Sequence, residues 1–110
     1  MAYDEGIAHR ISEVFSSRTD VIEKKMFGGI AFMISGHMCC GVVDELLMVR
    51  VGPEQYIKAL KRPHAREMNF TGKPMKGFVY VDQEGFDSDQ DLESWIEMGE
   101  NFVSTLPPKA

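Results

Sequence analysis

Long apolar runs and a basic leader are both missing from this sequence. No run reaches the roughly 18 to 20 apolar residues that a helix needs to cross a bilayer. The first ten residues, MAYDEGIAHR, lack the basic-then-apolar pattern of a signal peptide. We therefore expect a cytoplasmic protein that does not enter the membrane.

Cysteine is also scarce, and the two that occur, Cys39 and Cys40, are adjacent. Neighbouring side chains of an extended chain point to opposite faces, so we expect no disulfide between them. Zinc sites usually need four ligands with cysteines two to four residues apart, a spacing absent here, so we predict no metal. His37 shares a strand face with Cys39, but nothing in the sequence would orient the pair for nucleophilic catalysis. We predict two buried or half-buried thiols in a strand.

The composition is that of one ordinary folded domain. Hydrophobic residues make up 44% of the 110 residues and charged residues 26%, values typical of a soluble globular chain. A chain of this length can bury one core but not two. We find no internal repeat, and we predict a single domain over residues 1–110.

Charge is distributed unevenly along the chain. Residues 50–76 contain seven lysines and arginines against two acids, whereas residues 77–110 contain eight acids against one lysine. Such a separation can be neutralised within the fold, across a dimer or by an anionic partner, and the sequence does not choose among these.

Apolar periodicity predicts two amphipathic helices, one near each end of the chain. The first spans about 4–17, and the second begins after Ser88, a favourable N-cap, and ends near Leu106. Gly99 lies on the apolar face of the second helix and allows close packing there.

The middle of the chain predicts an antiparallel sheet with helices packed on it. Four apolar blocks, VIEKKMF, IAFMIS, HMCCGVV and LLMVRV, are separated by short turns, which is hairpin spacing. A short helix follows Pro53, and FVYV is the final strand. We expect a two-layer α+β domain with about five strands.

The segment TGKPMKG, residues 71–77, has the composition of a phosphate-binding loop but not its pattern. A P-loop needs GxxxxGK[ST] between a strand and a helix. Here Pro74 removes a donor N–H, and a strand follows. A looser anion site remains an alternative, formed by these residues: His64, Arg66, Lys73 and Lys76.

Four segments together resemble one known family. They are KKMFGGIAFMISGHMCCGVV, LLMVRVGPEQY, PHAREMNFTGKPMKGFVYV and LESWIEMGENFVSTLPPK. They resemble the N-terminal domain of the TfoX/Sxy family, especially its small single-domain bacterial members, over about Ile22 to Lys109.

The resemblance implies an α+β fold like that of secretion chaperones. Full-length TfoX proteins look like regulators of natural competence that act with a cyclic-AMP receptor protein and carry a second, helical domain. The printed sequence ends at LPPKA, so we expect a member without that domain. The resemblance supplies no catalytic residues. We assign architectural roles to the glycines of its motifs, which are Gly28, Gly29, Gly72 and Gly77.

From these observations we predict a non-enzymatic regulatory or protein-interaction domain that forms a homodimer, with a partner in transcription regulation and no cofactor. Direct binding of nucleic acid is disfavoured, because the net charge is −5 and few aromatic residues interleave the basic segment. The alternative is a small-anion or nucleotide-binding protein that uses the basic loop 64–76.

Overall fold

The computed structural model describes residues 3–26, 28–68 and 76–107. Within these residues the chain forms three α-helices, six strands and one turn of 3-10 helix at Gln83–Gly85. The helices and strands, in chain order, are α1 (Glu5–Val14), β1 (Val21–Met26), β2 (Gly29–Ile34), β3 (His37–Val43), β4 (Leu46–Arg50), α2 (Tyr56–Leu60), β5 (Ala65–Glu67), β6 (Phe78–Val81) and α3 (Asp89–Val103).

The strands form one antiparallel sheet in the order β1-β2-β3-β4-β6-β5. Strands β1 to β4 are a meander of hairpins with two-residue connections, as the apolar blocks predicted. Gly28 in the first turn has a φ of +73°, a conformation that glycine adopts without steric cost. A Cβ atom at Gly29 would clash with the carbonyl of Val42, so β2 and β3 approach closely there.

One strand was not expected from the sequence. Residues Ala65–Glu67 form β5, which pairs with β6 at the edge of the sheet, so β6 lies between β4 and β5. The sequence predicted no strand between the short helix and FVYV. The sheet therefore has six strands, close to the five predicted, and the α+β class is confirmed.

Both long helices begin with the side-chain caps that their sequences provide. The carboxylate of Asp4 accepts a hydrogen bond from the Ile7 N–H at 3.0 Å, and the Ser88 hydroxyl accepts one from the Asp91 N–H at 3.1 Å. Such caps satisfy N–H groups that have no partner inside the helix. Helix α3 ends at Val103, slightly before the predicted end near Leu106.

The helices cover one face of the sheet and bury the main core against it. The largest fully buried side chains of this core are Trp95, Phe32, Phe86, Ile11 and Leu47. A smaller apolar cluster lies on the opposite face, built from Ala31, Met38, Met48 and Met68. Alternation along the strands produces the two faces, because successive side chains point to opposite sides. None of the described helices combines the length and apolar character needed to span a bilayer.

Candidate functional site

The predicted anion site divides into two locations. His64 lies beside Asp82, whose N–H donates to the His64 carbonyl at 2.9 Å, just after β6. Lys76 is exposed and precedes β6. The four residues of β6, about 13 Å at 3.3 Å per residue, separate these positions. Lys73 and Gly72 lie outside the described residues.

Two of the predicted anion ligands already face carboxylates. The Arg66 guanidinium donates to Asp82 Oδ1 at 2.9 Å, and His64 Nδ1 lies 3.8 Å from Glu84 Oε2. An incoming anion would compete with these two acids. The anion-binding hypothesis therefore stays a prediction, and the described geometry gives it little support.

The acidic tail is partly neutralised within the fold, mostly by arginines from the start of the chain. Asp89 pairs with Arg10 at 3.3 Å, and Glu100 pairs with Arg18 at 2.8 Å. Among the described lysines and arginines of the basic segment 50–76, only Arg66 forms an ion pair with a carboxylate of the tail. The basic centre and the acidic tail thus do not simply pair with each other.

The two cysteines lie on the same face of the sheet, and the expectation of opposite faces was wrong. A β-bulge shifts the register: Phe32 pairs with Cys40 while Met33 pairs with Met38, so Cys39 is an extra residue. Such an extra residue interrupts the alternation of side chains. Both thiols are buried in the core under the helices, as predicted for their burial.

The described contacts of these thiols provide no catalytic pair. Cys39 Sγ donates to the carbonyl of Ile96 at 3.8 Å, and His37 Nε2 donates to the carbonyl of Pro107 at 2.6 Å. A hydrogen bond with Cys39, together with burial, raises the pKa of the Cys40 thiol well above its ordinary value. A thiol held protonated is a poor nucleophile. Within the described part of the chain, no three His, Cys, Asp or Glu side chains cluster as a metal site would require.

One concavity of the described residues is a groove that sequence reasoning missed. It has a volume of about 590 Å³ and lies between residues 51–55, which connect β4 to α2, and residues 94–105, which form one stripe of α3 and the turn after it. We call it the α3 groove. Glu54 lines one wall and Glu97 the other, and Met98 and Phe102 contribute half-buried apolar surface.

Only one wall of this groove, the wall formed by α3, follows from a pattern in the sequence. Ser94, Glu97, Met98 and Phe102 follow helical spacing, so the sequence shows that they share one side of α3. Phe102 belongs to the apolar face of α3 by its spacing, yet it borders the groove and is only half-buried. The opposite wall comes from a connection some 40 residues earlier, and no pattern in the sequence places it there.

Comparison with known families adds one finding. The family model described as TfoX N-terminal domain matches residues 13–102, which include all six strands, the basic segment and most of the α3 groove. No curated protein matches the chain.

Proposed function

The chain belongs to the TfoX N-terminal domain family, and from this premise we propose that it is a non-enzymatic regulatory or protein-interaction domain that forms a homodimer. The observation that carries the proposal is the edge strand β1. Within the described residues β1 pairs only with β2, and its Ile22 side chain is 66% exposed.

An edge strand with unpaired backbone groups can be extended by a strand from another chain. Two copies of β1 related by a twofold axis at Ile22 would pair antiparallel and bury both Ile22 side chains. In that register Asp20 of each copy, which pairs with Arg18 of its own chain, also faces Lys24 of the other copy, and opposite charges directly across a strand pair are favourable. Lysines on an edge usually discourage pairing, but here each Lys24 has an acid as its neighbour.

The described residues support catalysis less well than they support recognition of another chain. The thiols are buried without a described base, and the described histidine and arginine of the basic loop face carboxylates. Neither arrangement presents an accessible nucleophile, so a role in recognition fits the described residues better than catalysis.

Sedimentation velocity over a range of protein concentrations tests the homodimer. We expect the wild-type chain to sediment as a dimer and the Ile22→Lys variant as a monomer, because two lysines would then meet at the twofold axis. Ile57→Lys is the matched control, since Ile57 is 61% exposed on α2 and far from β1 in the chain. A monomeric wild type, or a dimeric Ile22→Lys variant, would refute this interface.

We further propose a cytoplasmic partner in transcription regulation, because the full-length proteins that this chain resembles look like competence regulators. Affinity capture from the cell of origin, followed by mass spectrometry, tests this role. Recovery of a transcription factor with the wild-type chain would support it. A chain that neither dimerises nor captures any protein would contradict the interaction role as a whole.

A further inference from the structure

We propose that the α3 groove binds a short extended peptide segment of a partner protein, with a basic side chain at its centre and apolar side chains beside it. This inference rests on the proposed interaction role and names the chemistry of the partner. Glu54 and Glu97 would receive the basic group, and Met98 and Phe102 would receive the apolar groups.

The dimensions of the groove suit a segment of about five residues. The lining positions run from Ser94 on α3 to Thr105, two residues past its end, about 16 Å at a helical rise of 1.5 Å per residue. An extended peptide rises about 3.3 Å per residue, so about five residues match that length. A volume of about 590 Å³ is within the usual range for ligand-binding clefts.

The apolar part of the groove is held in place at Phe102 and adaptable at Met98. The Phe102 ring packs against Gly52, where any Cβ atom would clash with it, and the Arg50 guanidinium lies 5.2 Å from the ring centroid. Met98, one helical turn earlier, has an unbranched and polarisable side chain that adapts to different partners. The groove therefore has a fixed anchor next to an adaptable surface.

The two carboxylates of the groove favour a basic side chain at the centre of the peptide. Among the described residues, neither Glu54 nor Glu97 has an ion-pair partner, and both are exposed. A lysine or arginine at the middle of the segment would meet both carboxylates, and complementary charge of this kind contributes mainly to specificity.

Two guanidinium groups contact residues that line the groove. Arg62 donates to the Ser94 hydroxyl at 3.4 Å, and the Arg50 guanidinium lies over the Phe102 ring. Glu97 lies between Ser94 and Phe102 on α3. A basic side chain of the peptide next to either arginine would meet like charge, so the position at Glu97 and Glu54 is favoured for it.

Selection from a random peptide library displayed on phage tests the proposal with the full chain as bait. We expect selected peptides to share a lysine or arginine between apolar residues. Measured by fluorescence anisotropy, these peptides should bind the Glu54→Gln, Glu97→Gln double variant about tenfold more weakly, as expected for losing two exposed ion pairs. Glu93→Gln is the matched control, because Glu93 is also exposed on α3 but lines a different concavity, next to α1.

Each other outcome overturns the inference. These are an absence of selected peptides, selected peptides without a basic centre, and binding that the double variant leaves unchanged. The result remains distinct from the test of the proposed function. A chain that dimerises through β1 but selects no such peptide keeps its interaction role and loses the groove as its binding site.

Discussion

Gly99 lies where α3 comes closest to β3, and replacing it with alanine measures how tightly the two elements pack. A Cβ atom at Gly99 would lie 2.8 Å from the Cys39 carbonyl oxygen and 3.0 Å from Cys39 Sγ. It would also lie 3.4 Å from Val49 Cγ1, an ordinary contact distance. The first contact is with backbone atoms of β3, so the helix or the strand must shift to admit the methyl group.

Two opposing terms determine the size of the effect. Alanine is favoured over glycine inside a helix by about 1 kcal/mol, whereas inserting a methyl group into a packed core costs about 1 to 3 kcal/mol. The close contact with backbone at 2.8 Å places Gly99 towards the upper end of that cost. We therefore expect Gly99→Ala to lower the free energy of unfolding by about 1 to 2 kcal/mol.

Thermal unfolding followed by circular dichroism is the appropriate assay. For a chain of 110 residues, 1 kcal/mol corresponds to about 4 °C in Tm, so the expected loss is about 4 to 9 °C. Asn101→Ala is the control, because Asn101 is exposed on the same helix and its substitution should leave Tm unchanged or slightly higher. A Gly99→Ala variant as stable as the wild type would show that α3 does not pack this closely on β3.

Two further predictions concern the thiols and the pH dependence of stability. Because Cys39 and Cys40 are buried and a hydrogen bond with Cys39 raises the pKa of Cys40, neither thiol should react with an aromatic disulfide reagent until guanidinium unfolds the chain; rapid labelling of the folded chain would contradict their burial. Hydrogen bonds from Arg18 lower the pKa of the Asp20 carboxyl in the folded chain. The Arg18–Asp20 pair therefore stabilises the fold fully above the ordinary pKa of an aspartate, about 3.9, and this stabilisation is lost as the pH falls through the lower pKa of the folded state. Removing this contribution in Arg18→Met should flatten the decline of Tm below about pH 4, and a decline as steep as in the wild type would argue against the Arg18–Asp20 pair.

Local periodicity was sufficient to predict most of the fold. Helices α1 and α3 and the hairpins β1 to β4 each follow from an apolar pattern contained in the 5 to 15 residues of the element itself, and those patterns are visible in the sequence. The caps at Asp4 and Ser88 are equally local, because each bonds an N–H three residues later. These parts could be predicted because neighbours in the chain supply the interactions that determine them.

Strand β5 and the bulge at Cys39 depend on neighbours that are distant in sequence. Ala65–Glu67 is short and carries two charged residues, so nothing in its pattern indicates a strand, and it becomes one by pairing with β6. The alternation rule failed at Cys39 because the register against β2 changes within β3. Neither feature can be predicted from the local sequence of the segment that forms it.

The candidate sites also depend partly on local sequence and partly on residues that are distant in the chain. The basic residues His64 and Arg66 were visible in the sequence, but the register of β5 against β6 brings them to Asp82 and Glu84. Likewise, one wall of the α3 groove follows from helical spacing and the other from tertiary structure. Charge composition alone therefore overstated the basic character of this surface.

The position of β6 in the sheet has a consequence for how the chain folds. Pairs among β1 to β4 close two-residue turns, whereas the β4–β6 pair must close the loop formed by residues 51–77. That longer loop costs about 2 kcal/mol more in chain entropy, so we expect β1 to β4 to acquire amide protection first in pulse-labelled hydrogen exchange. Until β6 arrives, the apolar strand β4 is an uncovered edge. This interval is the stage of folding at which the chain is most prone to aggregate.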